Sequence, residues 1–80
     1  MTTDEIKGLL TGVFRNVFDD PALEIHDATT ARDVPDWDSL NHINLIVAVE
    51  RAFKVKFTTR EISALERVGD LIALIQKKAV

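Results

Sequence analysis

Apolar side chains recur at Ile6, Leu9, Leu10, Val13, Phe14, Val17 and Phe18, the i, i+3, i+4, i+7 spacing that lines one face of an α-helix. The pattern predicts a first helix over about residues 3 to 18. Thr2 and Glu5 stand at capping-box spacing at its start, and Asp19-Asp20-Pro21 closes it because proline cannot continue a helix. A second apolar segment, Ser39 to Phe53, is too wide for one buried face. Leu45, Ile46, Val49, Ala52 and Phe53 form one stripe, while Leu40, Ile43 and Val47 form another, expected to face solvent as a docking surface. Phe53 to Phe57 alternates like a strand but has nothing to pair with, so it reads as an extended connector pinned by Val55 and Phe57. Thr58 and Glu61 repeat the capping-box spacing and open a short third helix at about 59 to 65, expected to bury Ile62 and Leu65. A last helix at about 69 to 78 packs through Val68, Leu71, Ile72 and Ile75, with Lys77 and Lys78 suited to its C-terminal dipole.

Residues 19 to 37 show no sustained period, and a loop of that length in a small domain needs packing or a task. Leu23, Ile25 and Val34 are its candidate pins, with a short helical turn near Thr30 to Asp33. Pro35 disfavours helix at Val34, so the approach to Ser39 is expected to be extended. Trp37 reads as an aromatic closing the loop onto the helices, and Phe14, Phe18, Phe53 and Phe57 read as core. The fold class is therefore all-α: four helices with a long loop between the first two and a short third, in one domain over residues 1–80.

Eighty residues leave little room for a deep enzyme cleft. The chain has no cysteine, which removes disulfides, thiolate metal ligands and a thiol nucleophile of its own. The N-terminal stretch lacks the apolar run of a signal peptide, so a cytoplasmic protein is expected. No apolar run exceeds the five residues of Leu45 to Val49, too short for a membrane segment. Net charge is −3, unevenly placed: residues 1–40 carry nine acids and three bases, residues 41–80 four acids and seven bases. Seven of the acids lie between Asp19 and Asp38 against Arg32 alone, which speaks against nucleic acid and for a basic partner surface.

The acidic loop leads to Asp38-Ser39-Leu40, where Ser39 presents a hydroxyl at a helix start. First-turn N–H groups lack intrahelical partners and the macrodipole is positive there, so a phosphodiester on Ser39 would be stabilised. Ser and Asp are also good N-caps, so capping without chemistry is the alternative reading of this pair. A nucleophile, base and acid built from Ser39, His42 and Asp38 is unconvincing, because neighbouring positions do not give triad geometry and no oxyanion pocket is evident. His42 reads instead as a solvent-side residue. His26 and Asp27 are too few for a metal site.

Taken together, Asp38-Ser39-Leu40-Asn41, the Leu45 to Phe53 block, Val55-Lys56-Phe57 and Val68-Gly69-Asp70-Leu71 resemble the acyl carrier protein family over nearly the whole chain. The resemblance implies a four-helix bundle, not an enzyme, whose Ser39 carries covalent 4′-phosphopantetheine, with Asp38 serving either the transfer of that arm or the helix cap. The implied partner surface is Leu40, Ile43, Asn44, Val47 and Glu50. Implied partners are a phosphopantetheinyl transferase, an acyl-loading ligase or acyltransferase, and downstream synthases or transferases, met by a monomer. Departures from the family pattern are Asn41, Asn44 and Arg51 on a helix that usually carries acids, Trp37 where Gly is frequent, and Lys54 where Gly commonly follows the Phe. They suggest a specialised pathway. A peptidyl or aminoacyl carrier, or a helical adaptor never given the arm, are the alternatives.

Overall fold

A computed structural model describes residues 2–78. Its helices are α1 (Thr3–Val17), α2 (Ser39–Phe53), α3 (Thr59–Ser63) and α4 (Val68–Lys78). Among the described residues the extended pairing is limited to an isolated antiparallel bridge between Thr30 and Arg67. The protein is thus an all-α four-helix bundle with a long loop between α1 and α2 and a short α3.

Each helix end follows from local chemistry. Thr2 accepts from the Glu5 N–H at 3.2 Å while Glu5 accepts from the Thr2 N–H at 2.9 Å, a complete capping box. At the other end of α1, Asp19 takes the left-handed conformation (φ 51°). The Asp20 N–H then bonds Arg15 O and the Asp19 N–H bonds Asn16 O, the paired closure of a Schellman motif just before Pro21. α2 stops at Lys54, also left-handed (φ 56°, ψ 45°), with the Lys54 and Val55 N–H groups both returning to Glu50 O. That conformation explains why glycine suits the position after Phe53, since a side chain there crowds its own carbonyl.

α1 packs on both α2 and α4. Ile6, Leu10 and Phe14 of α1 meet Leu45, Ile46, Val49 and Phe53 of α2 and Val68, Leu71, Ile72 and Ile75 of α4 in one cluster, joined by Ile25 and Val55. Full burial of each such side chain contributes about 1.5–3 kcal/mol. Both connectors are therefore pinned as expected, the α2–α3 one by Val55.

Several expectations are corrected. Leu9 is 50% exposed, because α1 buries only the strip shared by α2 and α4 and Leu9 lies at its edge. Val13, Val17, Phe18 and Phe57 are half-buried, and Ala52 is exposed. α3 buries no residue: a five-residue helix is too short to press a face into the core, so Ile62 and Leu65 stay half-buried. Thr30 to Asp33 does form the short turn expected there, closed by the Asp33 N–H on Thr30 O, with the Asp33 carboxylate accepting the Thr30 N–H at 2.9 Å.

The long loop is anchored at α4. The Val68 N–H bonds Thr29 O at 2.9 Å and the Gly69 N–H bonds Asp27 O at 2.8 Å. A Cβ on Gly69 would stand 2.9 Å from Asp27 O, so this approach requires glycine. Lys7 of α1 adds an ion pair to Asp27 at 3.5 Å.

Candidate functional site

Val34-Pro35-Asp36-Trp37 delivers the chain to α2 as a turn, not as the extended approach expected. Proline sets φ at the second position, Asp36 takes φ 72° at the third, and the Trp37 N–H bonds Val34 O at 3.2 Å. Asn41 Nδ2 donates to Asp36 O at 2.6 Å and holds the turn against the helix. Trp37 then swings inward, edge-on to Phe14 with centroids 5.3 Å apart and tilted against Phe18 at 6.2 Å, which closes the loop onto the bundle.

Asp38 is extended (φ −104°, ψ −173°) and its carboxylate accepts the Asn41 N–H at 2.9 Å, so it is the N-cap of α2. The His42 N–H goes to Asp38 O at 2.8 Å. That leaves the Ser39 and Leu40 N–H groups without a partner among the described residues, beside an exposed Ser39 hydroxyl. An open helix start of this kind favours an anion.

From this start the outward stripe of α2 runs along the helix: Leu40 is 72% exposed, Ile43 53% and Val47 42%. Asn44 is exposed and donates to Asn41 Oδ1 at 3.2 Å. Glu50 does not stand free with them. It is half-buried, and its Oε2 accepts the Phe57 N–H at 2.9 Å, tying the α2–α3 connector to α2.

His42 is also not a plain solvent-side residue. Its Nδ1 accepts from Trp37 Nε1–H at 3.1 Å, and the two rings lie 20° from parallel. An open groove of about 510 Å³ begins at Ser39, lined by Trp37, His42 and Ile43 on one side and by Ile62, Ser63 and Leu65 on the other. These α3-side walls carry no motif in the sequence, and only their apolar character under a short helix hinted at them. Among the described residues no three His, Cys, Asp or Glu side chains converge as for a metal, and no helix is long and apolar enough to cross a membrane.

Neither a protein-family model nor a curated protein matches this chain. A solved structure does: the solution NMR structure of a holo acyl carrier protein from Geobacter metallireducens superposes with a TM-score of 0.85. The two sequences are 46% identical over 90% of this chain and 83% of the other. Identity at that level over that span, on the same arrangement of four helices, makes this chain a member of the acyl carrier protein family, a carrier and not an enzyme.

Proposed function

We propose that this protein carries acyl intermediates on a 4′-phosphopantetheine arm esterified to Ser39 and delivers them to enzymes of fatty-acid, polyketide or specialised-metabolite synthesis. The observation that carries the reading is the exposed Ser39 hydroxyl beside two unpartnered N–H groups at the start of α2. Ester formation there needs an accessible oxygen, and the phosphodiester it leaves needs donors. The neighbouring groove and the free stripe Leu40, Ile43 and Val47 give the arm and its partners room on the same side. When bound, the arm supplies the thiol that the cysteine-free chain lacks, and holds cargo as a thioester.

The chain's own residues position and present. Asp38 caps α2 and so fixes where Ser39 points, beside the reaction that attaches the arm. Leu40, Ile43, Asn44 and Val47 form the docking face for a phosphopantetheinyl transferase, an acyl-loading ligase or acyltransferase, and downstream synthases or transferases, with Glu50 bracing its far end. Weak docking lets a single cytoplasmic carrier domain, acting as a monomer, leave one enzyme for the next while the tether keeps effective concentration high.

Mass spectrometry after co-expression with a broad-specificity phosphopantetheinyl transferase tests this. One arm is expected on the wild type and none on Ser39→Ala; an unshifted wild-type mass would leave a helical adaptor. Offering acyl, hydroxyacyl and aminoacyl donors to the loaded protein then separates an acyl from a peptidyl carrier. Val47→Glu is expected to slow turnover by partner enzymes while changing folding stability by no more than about 0.5 kcal/mol, as for an exposed position. Strong unfolding would make Val47 a core residue.

A further inference from the structure

Capping and packing account for Asp38 and for one face of Trp37, but the hydrogen bond between Trp37 and His42 does something more. A neutral imidazole has one N–H, and because Nδ1 of His42 accepts from the indole, the proton resides on Nε2. The near-parallel indole, with centroids 6.2 Å apart, holds the ring in place. His42 follows Ser39 by three residues on the same helical face, and side chains on a helix lean toward its N-terminus. Its ring therefore stands over the turn that presents the Ser39 hydroxyl, and both residues line the same groove.

The other polar side chains of that groove are Trp37, Asp38 and Ser63. The Trp37 N–H is committed to His42, and the Asp38 carboxylate is an acceptor already engaged with Asn41. The negative charge of Asp38 opposes part of the helix-dipole attraction for an anion, so a phosphate on Ser39 gains from an additional donor. Resting on the carrier reading above, we infer that His42 is a positioning residue: its Nε2–H donates to a non-bridging oxygen of the phosphodiester on Ser39, and Trp37 fixes the tautomer that makes this possible. The arm is then held at its base by two backbone N–H groups and one side chain, and it leaves the protein along the groove.

Nitrogen-15 and phosphorus NMR of the full chain at one fixed pH tests the assignment, before and after loading with coenzyme A and a broad-specificity transferase, with mass spectrometry scoring the loading. On loading, the His42 Nε2 resonance is expected to move and its proton to exchange more slowly, while His26, which does not line the groove, stays as an internal reference. The phosphodiester resonance is expected to shift in His42→Phe and to return toward wild type in His42→Gln, whose amide can donate. Trp37→Phe should let both tautomers form and weaken the His42 response. A confirmed load with unmoved His42 signals and identical phosphorus resonances in wild type and His42→Phe overturns this inference alone. An unshifted mass overturns the carrier reading and this with it. Should His42→Phe fail to fold, the wild-type nitrogen comparison before and after loading decides the matter by itself.

Discussion

At the start of α4 the long loop gives up two carbonyls, Thr29 O to the Val68 N–H and Asp27 O to the Gly69 N–H, and the Asp70 carboxylate takes the N–H groups of Glu66 and Arg67 at 3.2 and 3.3 Å. At the start of α2 the same loop offers one carboxylate oxygen to Asn41 and turns away, leaving the Ser39 and Leu40 N–H groups open. Both helix ends carry the same unsatisfied donors and the same dipole. What separates them is occupancy: one start is sealed by the protein's own loop backbone, and the other keeps its first two donors free for the proposed phosphodiester. α1 and α3 lie between the two: each capping box pairs the third N–H and the N-cap's own N–H, while Thr3, Asp4, Thr59 and Arg60 N–H have no partner among the described residues, so what sets α2 apart is the groove and the outward apolar stripe beside its start.

The contrast can be broken at the sealed end first. Gly69→Val forces a side chain against Asp27 O and should destabilise the fold by about 1–3 kcal/mol, read from chemical or thermal unfolding. If stability is unchanged, the loop is not anchored where the structure places it. At the open end the effect should be smaller. Asp38→Ala removes the lone cap and should cost about 1 kcal/mol, with the helical circular dichroism signal largely kept. A loss as large as that of Gly69→Val would erase the distinction between the two starts.

The smallest effect belongs to the self-capped starts and depends on pH. The Thr58 backbone N–H, and then Lys78 at 3.0 Å, hold the Glu61 carboxyl below its ordinary value. The unfolded chain therefore binds a proton at higher pH than the folded one, so this contribution is complete above about pH 4.3 and fades as pH falls through the lowered native value. Glu5, held by Thr2, behaves alike. Glu61→Gln should slightly lower the neutral plateau of a plot of melting temperature against pH and leave its acid end nearly unchanged, so that the acid limb becomes less steep. An acid limb as steep as wild type would show that Glu61 takes no part in it.

The helices were legible because spacing and caps are written in side chains: α2 begins and ends where its apolar pattern does, and both Thr-to-Glu boxes form. Leu9 misled because periodicity tells which residues share a face but not how wide a strip the neighbouring helices cover. The loop seal on α4 could not be read, since its acceptors are backbone carbonyls that every residue possesses, and Gly69 was the single trace it left. At the site, the place of Ser39 and the cap on Asn41 followed from residue types, and the outward stripe of Leu40, Ile43 and Val47 followed from a helix with more apolar positions than one face can bury. The turn at Asp36, the engagement of Glu50 with the connector and the Trp37–His42 bond join residues across non-helical backbone, where no period relates them.

Trp37 is the one indole of a chain that has no tyrosine. Its ring lies two residues from the Ser39 hydroxyl, against Phe14 on one side and an imidazole on the other. Intrinsic emission excited at the red edge therefore comes from a single chromophore at the mouth of the groove. Occupancy of that mouth, by an arm or by a docked enzyme, can be followed in real time without attaching a dye.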